Sequence, residues 1–483
     1  MTKTRIYAVQ ILTLIVVGVL IYQSWFPANK KQASLPENTM LSQPIELVVL
    51  EKQAKIIIGA LEYLKANSSA QSEVIKAQVQ ATFRQALSSN TASQTNNWAL
   101  IASELILYDY LSLKDEARAK LHDLEQIPQA DPRLSSLHGS ILDTFRIKLA
   151  KEGNKELSVL PKRVRETLAS ESHMLGWFGS LLRVGLDIEA PAEKEAFYQD
   201  AKSTSIKMGG LLFVGSLVML TSALLTLAFA YKYIRKKLVF TFKQSSIETA
   251  YLLEIFALYL FAMFGTPYLF KYIAPYLPNI DPLQMNIIAI LALLVFILWP
   301  LLFRINAQNL FQSLGMSGLG LGNVVKGFLF GPVMYIGSLC TFFLFLIIYS
   351  SVLMYLQIDI SQGTHPVIPI LLSESNRETF WMIVFLAVVV APIVEEIMFR
   401  GAFYSWLRER FSAKSSAIIS GFIFASVHPQ GLVGVVPLMA IGCILALVRE
   451  WKHSIIPAIA THACFNAGTL LFVVLFFGKQ AVG

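Results

Sequence analysis

Charge is scarce in this chain. Lys, Arg, Asp and Glu together supply only 15% of its 483 residues, against 55% apolar, and the mean hydropathy is +0.56. A soluble protein needs about a quarter of its residues charged to cover its surface, so a wholly soluble chain is excluded. Cysteine is nearly missing: Cys340, Cys443 and Cys464 all lie in apolar stretches. There they staple no extramembrane loop and read as small packing residues. Also absent are a His-Glu-x-x-His pair and a Gly-x-Ser-x-Gly elbow, which removes two common hydrolase arrangements. The net charge of +8 is not gathered on one polar face, as nucleic-acid binding requires. No nucleic-acid partner is expected.

Long apolar runs are what the chain does have. A helix crossing a bilayer needs about 20 mostly apolar residues. The first candidate spans 7–26, after Lys3 and Arg5. Gln23-Ser24-Trp25-Phe26-Pro27 is a poor cleavage site, so residues 1–27 are expected to stay as a signal anchor. Residues 28–205 differ in character, mixing charge with helical apolar spacing at Ala81, Phe83, Ala86 and Leu87 and again over Trp98 to Leu111. Glu116 to Leu124 reads as an amphipathic helix, and Asp131-Pro132 and Pro161 punctuate the region. A soluble domain of paired helices without a fixed period is expected there.

Further apolar segments follow at about 208–231, 249–274, 284–303, 327–356, 378–400, 416–428, 431–448 and 454–477. The segment 416–428 is short for a span, and Pro429-Gln430-Gly431 interrupts the chain after it. Irregular backbone at such depth needs protein or water around it. Basic residues alternate between the connections. Lys232, Arg235, Lys236, Lys237 and Lys243, then Arg304 and Lys326, then Arg408, Arg410 and Lys414, then Arg449 and Lys452 mark one side; 275–282 carries none and 357–377 only Arg377. The positive-inside rule then puts the N-terminus in the cytoplasm and the domain outside. The expected architecture is all-α: a polytopic membrane protein of eight or nine spanning helices with an N-terminal helical extramembrane domain. Spans occupy 206–365, and residues 366–483 form the membrane core that carries the chemistry.

Ionisable groups inside spans are expensive and mark function. Three clusters stand out. In Glu395-Glu396-Ile397-Met398-Phe399-Arg400, Glu396 and Arg400 are four apart and share a helical face, while Glu395 points about 100° away. One carboxylate can thus be neutralised while the other stays free. The alternative is a helix end with both acids solvated. Phe424 and His428 are likewise four apart, as are His462 and Asn466. A capping histidine beside Pro429, and interhelical packing among small neighbours, are the plainer readings of these two. Taken together, the clusters permit convergence in the inner half of the membrane, with His428 about 18 Å and His462 about 12 Å along their segments. A carboxylate and a histidine can deprotonate a water, directly or on a metal. A second histidine and an amide can donate to an oxyanion.

Glu-Glu-x-x-x-Arg at 395–400, Phe-x-x-x-His at 424–428 and His-x-x-x-Asn at 462–466 resemble the three motifs of the CAAX prenyl protease and bacteriocin-processing (CPBP, or Abi) family. Its members are intramembrane endopeptidases. The resemblance covers roughly 375–478 and says nothing of 28–205. It implies that Glu395 with His428 activates water, that His462 with Asn466 stabilises the oxyanion, that Glu396 and Arg400 shape the site, and that Phe424 packs beside it. Both a divalent metal such as zinc on Glu395, His428 and His462 and a metal-free glutamate mechanism are compatible with it. The substrate is a peptide or membrane protein met among lipid, and the outer domain can dock a protein partner. A prenylated C-terminus is the substrate of eukaryotic members. This chain looks like a bacterial inner-membrane protein, where such substrates are not expected. Two other functions remain open: an idle scaffold or immunity protein of the same fold, and an ion-coupled transporter. The transporter should show an internal repeat with matching broken helices, and the earlier half contains none.

Overall fold

The structure is a computed structural model. It describes residues 45–66, 98–127, 134–150, 160–237, 240, 245–273, 276, 282–316, 320–356, 377–428 and 431–477. The expected anchor at 7–26, the spacing at Ala81 to Leu87, Asp131-Pro132, Lys243, His365 and Pro429-Gln430 lie outside the described residues. All regular structure within them is helical. The chain divides into two compact units, one over 40–214 and one taking the rest.

The first unit holds α1 (Ile45–Ala66), α2 (Trp98–Tyr110), α3 (Lys114–Gln126), α4 (Ser135–Ala150), α5 (Lys162–Glu171), α6 (Trp177–Gly185) and the start of α7 (Pro191–Ile234). Helix α2 is apolar on most faces and is correspondingly central, burying Ile101, Ala102, Leu105, Ile106 and Leu107. Helix α3 is amphipathic as expected and buries Ala117, Leu121 and Leu124 along one stripe. Helix α4 adds Leu137, Ile141 and Phe145 to the same core. At Gly59 a Cβ would stand 2.2 Å from the Ala201 carbonyl oxygen, so only glycine lets α1 and α7 cross this closely. The Ser205 hydroxyl donates to the Ile56 carbonyl at that crossing. His138 packs edge-on to Trp98 with ring centroids 6.0 Å apart. Burial lowers its pKa from the ordinary imidazole value, as for a core histidine.

Helix α7 continues unbroken to Ile234. The composition change near residue 205 is therefore a change of solvent and not of backbone. Lys202 to Met208 contains no Pro or Gly to stop a helix.

In the second unit, six helices among the described residues are long and apolar enough to cross a membrane. They are α7, the run Leu283–Phe303, α11 (Leu321–Tyr355), α12 (Arg377–Arg408), α14 (Gly431–Lys452) and α15 (Ile456–Phe477). Shorter apolar stretches lie in α8 (Ala250–Ile273) and α13 (Ala413–Ser426). The run at 283–303 begins as α9 (Pro282–Ala292) and tightens to a 3₁₀ helix at Leu293–Phe303 that contains Pro300. The short α10 (Ala307–Ser313) is capped by the Asn306 side chain. Large apolar side chains such as Leu212, Phe213, Leu344 and Phe345 are exposed, as lipid-facing residues must be.

A stack of aromatic rings forms the core of this unit. Phe256 of α8 lies on Phe403 at 4.4 Å, and Phe399 stands edge-on to Phe256 at 5.1 Å and to Phe424 at 5.2 Å. This stack locks α8, α12 and α13 together and fixes the turn of α12 that carries the acidic pair.

Candidate active site

Helix α12 is not uniform. Two π-helical segments, Leu386–Val390 and Ile397–Phe403, bracket the α-helical turn Ala391–Glu396. Such wide turns interrupt the regular ladder and concentrate at functional sites. Asn466 of α15 donates from Nδ2 to the Ala387 carbonyl at 2.7 Å, inside the first of them. One of its two amide hydrogens is thus engaged in holding the backbone of α12.

Glu396 and Arg400 pair as their spacing requires. Arg400 Nη1 donates to Glu396 Oε1 at 2.7 Å, and both side chains are 0% exposed. The pair is not self-contained, however. The same Glu396 oxygen accepts from His462 Nδ1 at 2.9 Å, and Arg400 Nη2 donates to the Gly442 carbonyl at 3.1 Å. The guanidinium also sits 4.4 Å over the Phe424 ring. Glu396 therefore does more than neutralise arginine: it sets the tautomer and ring orientation of His462.

Glu395 points away from this pair, as the helical period predicts. Its Oε2 lies 3.9 Å from His428 Nε2 and 3.9 Å from His462 Nε2. His428 Nδ1 contacts the Phe424 carbonyl at 2.7 Å. A carbonyl only accepts, so Nδ1 carries the hydrogen and Nε2 presents its lone pair when the ring is neutral. His462 is oriented the same way by Glu396. Phe424 fills the space between them, 4.6 Å from the His428 ring and 5.7 Å from the His462 ring. Three acceptor atoms thus converge, and Glu395 Oε2 is buried with no hydrogen-bond partner. The site is open on the Glu395 and His428 side, where side chains are 21% and 19% exposed, and nearly closed at His462, at 5%.

Of the seven residues singled out in the sequence, Glu395, Glu396, Arg400, Phe424, His428 and His462 are joined by these contacts, while Asn466, one turn beyond His462 on α15, bonds to the Ala387 carbonyl. Glu395, His428 and His462 suit zinc by donor type. Their 3.9 Å separations exceed the edge of a zinc tetrahedron, about 3.4 Å for bonds near 2.1 Å. Among the described residues no group of three His, Cys, Asp or Glu is arranged to hold a metal ion. The set fits a metal by type and not by spacing.

The sequence did not point to Ala387, Gly421 or Gly442. The last two had one local signal, glycine inside an apolar helix. A Cβ on Gly442 would meet the Gly421 Cα at 2.7 Å and Arg400 Nη2 at 3.4 Å. Gly442→Ala should therefore push α13 and α14 apart and move the carbonyl that holds Arg400. We expect about 1–3 kcal/mol of destabilisation together with reduced activity, read by thermal unfolding and a cleavage assay. An unchanged melting point would show that this packing is looser than described.

Residues 377–468 match the family described as Type II CAAX prenyl endopeptidase Rce1-like. This segment belongs to the CAAX protease family. The match covers about a fifth of the chain and contains all three motifs. The CAAX protease segment begins with α12 and ends within α15, which are the elements that build the cluster. No curated protein and no solved structure matches the chain.

Proposed function

We propose that this CAAX-family protein is an intramembrane endopeptidase that hydrolyses a peptide bond with a water activated by Glu395 and His428. The observation that carries this reading is the buried, unpartnered Glu395 Oε2 flanked by two imidazole Nε2 atoms at 3.9 Å. A water about 2.8 Å from the carboxylate and from an imidazole nitrogen spans that gap. Glu395 accepts one of its protons as the oxygen bonds to the scissile carbonyl carbon. His428 Nε2 accepts a hydrogen bond from the same water and aims it. His462, oriented through Nδ1 by the Glu396 carboxylate, turns its Nε2 edge toward the oxyanion and donates to it when that nitrogen carries a hydrogen. The second amide hydrogen of Asn466 is a further donor. The C–N bond then breaks as Glu395 returns its proton to the leaving amine, giving one acid and one amine. No covalent intermediate forms.

Glu395, His428 and His462 are the residues that would have to draw together to hold a divalent metal, whose chemistry would be to acidify a water. Elemental analysis of the purified protein and cleavage in chelator decide between the two chemistries. Retained activity without metal supports the glutamate mechanism. The substrate is a peptide segment of a membrane protein that reaches the site within lipid. The helical domain serves to capture that protein or a partner. The basic connections support a cytoplasmic N-terminus, and the bacterial inner membrane is the setting this reading assigns by analogy. Comparing membrane proteomes from cells making the wild type and Glu395→Gln tests the whole reading. Cleavage products should be confined to the wild type. Identical proteomes would refute it.

A further inference from the structure

A second charged cluster lies at the end of α14, about 10 Å along the helix from Gly442, and the hydrolysis makes no use of it. Glu450, with a side chain 0% exposed, accepts from Tyr404 Oη at 2.7 Å and from Arg408 Nε and Nη2 at 2.7 and 2.8 Å. Arg408 and Tyr404 thus occupy both oxygens of this carboxylate. Its neighbour Arg449 is only 7% exposed. Among the described residues Arg449 has no hydrogen bond and no ion pair, and its Nε is buried without a partner. One carboxylate here faces two guanidiniums, which leaves one positive charge uncompensated.

The backbone makes room for that charge. Gly315 has φ +77°, and a Cβ on it would stand 2.5 Å from Cζ, Nε and Nη2 of Arg449, so the guanidinium lies against a glycine whose replacement would displace it. The Ile455 N–H donates to the Gly315 carbonyl at 3.1 Å and fixes that turn. A buried, unpaired charge costs several kcal/mol and persists where a counter-charge arrives. The surroundings have the character of a headgroup layer. Lys452 Nζ lies 4.1 Å from the Trp451 ring centroid and 3.8 Å from that of Phe330, and Arg410 lies 4.5 Å over Trp406. Aromatic and basic side chains gather at that depth of a bilayer.

We propose that Arg449 anchors a phosphate-binding site that takes the phosphate of an anionic phospholipid headgroup or of free phosphate. A guanidinium with free N–H groups binds phosphate oxygens in pairs, which neutralises the excess charge of the cluster. The site is separate from the hydrolytic residues and stands or falls independently of them.

Native mass spectrometry of the full chain in neutral detergent tests it, with phosphatidylglycerol, phosphatidylcholine and inorganic phosphate as probes. The wild type should retain one phosphatidylglycerol in preference to phosphatidylcholine. Arg449→Gln should weaken retention about tenfold or more, and Arg449→Lys should weaken it less. Displacement of the lipid by inorganic phosphate identifies free phosphate as the natural source; resistance identifies the headgroup. Equal retention by wild type and Arg449→Gln, or no preference over phosphatidylcholine, overturns the proposal. If Arg449→Gln does not fold, Gly315→Ala serves instead, because it displaces the guanidinium and keeps its charge. Unchanged lipid affinity in Gly315→Ala would then overturn it.

Discussion

Glu395→Gln is expected to lower peptide hydrolysis by about a thousandfold or more while the protein inserts and purifies as before. General-base removal costs about 10²–10⁴ in rate, and here the same group also returns the proton to the leaving amine. Glutamine keeps the size of the side chain and its acceptor oxygen but cannot take the proton. The stability consequence is unusual and sharpens the test. Glu395 Oε2 has no hydrogen-bond partner and its two imidazole neighbours stand at 3.9 Å. Replacing it therefore breaks no bond, and the melting temperature should stay the same or rise, as at other sites that trade stability for activity. A substrate found by the proteome comparison provides the assay. Cleavage by Glu395→Gln above a tenth of the wild-type rate would remove Glu395 from the mechanism. A large fall in melting temperature would make it a structural residue.

Arg400→Met should have the largest effect on stability. It leaves Glu396 charged at 0% exposure with His462 as its remaining partner, and breaking a buried ion pair from one side costs about 3–5 kcal/mol. It also frees the Gly442 carbonyl and removes the cation from over Phe424. The double variant Glu396→Gln, Arg400→Met should regain much of that stability, because both charges go together. It should not regain activity. His462 Nδ1 would then meet an amide in place of a carboxylate, and the charge-assisted hydrogen bond that orients its ring would be lost, a change of the kind that costs about 10–100-fold. Thermal unfolding in detergent and the same cleavage assay separate the two effects. A single variant as stable as the wild type would mean that the pair is solvated. A fully active double variant would mean that Glu396 does not orient His462.

How much of this was legible in the sequence depends on separation along the chain. Glu396 and Arg400 are four residues apart, so one helical turn places them together and a local rule suffices. The divergence of Glu395 from that face, by about 100°, followed from the same period. His462 is 66 residues from Glu396, and Asn466 is 79 from Ala387; no local rule joins them. The π-helical turns of α12 leave no mark in composition, because Leu, Ala, Val, Ile and Phe suit either form of helix. For this reason the resemblance assigned Asn466 to the oxyanion alone, while the structure also ties it to the backbone of α12.

Arg449 shows the same division from the other side. In the sequence it is one of several basic residues that orient the membrane spans. Only packing against Gly315, with Glu450 already hydrogen-bonded by Arg408 and Tyr404, turns it into a buried cation whose Nε has no hydrogen-bond partner. The sequence by itself determined that scarce charge and long apolar runs make an all-α membrane protein, and that three polar clusters fall on three of the last four apolar segments. It did so because hydropathy and helical period are properties of neighbouring residues. Tertiary structure alone decided which oxygen of which carboxylate faces which nitrogen, because those distances are set by how helices cross. The aromatic stack and the Gly421–Gly442 approach, built from residues remote in sequence, fix those crossings.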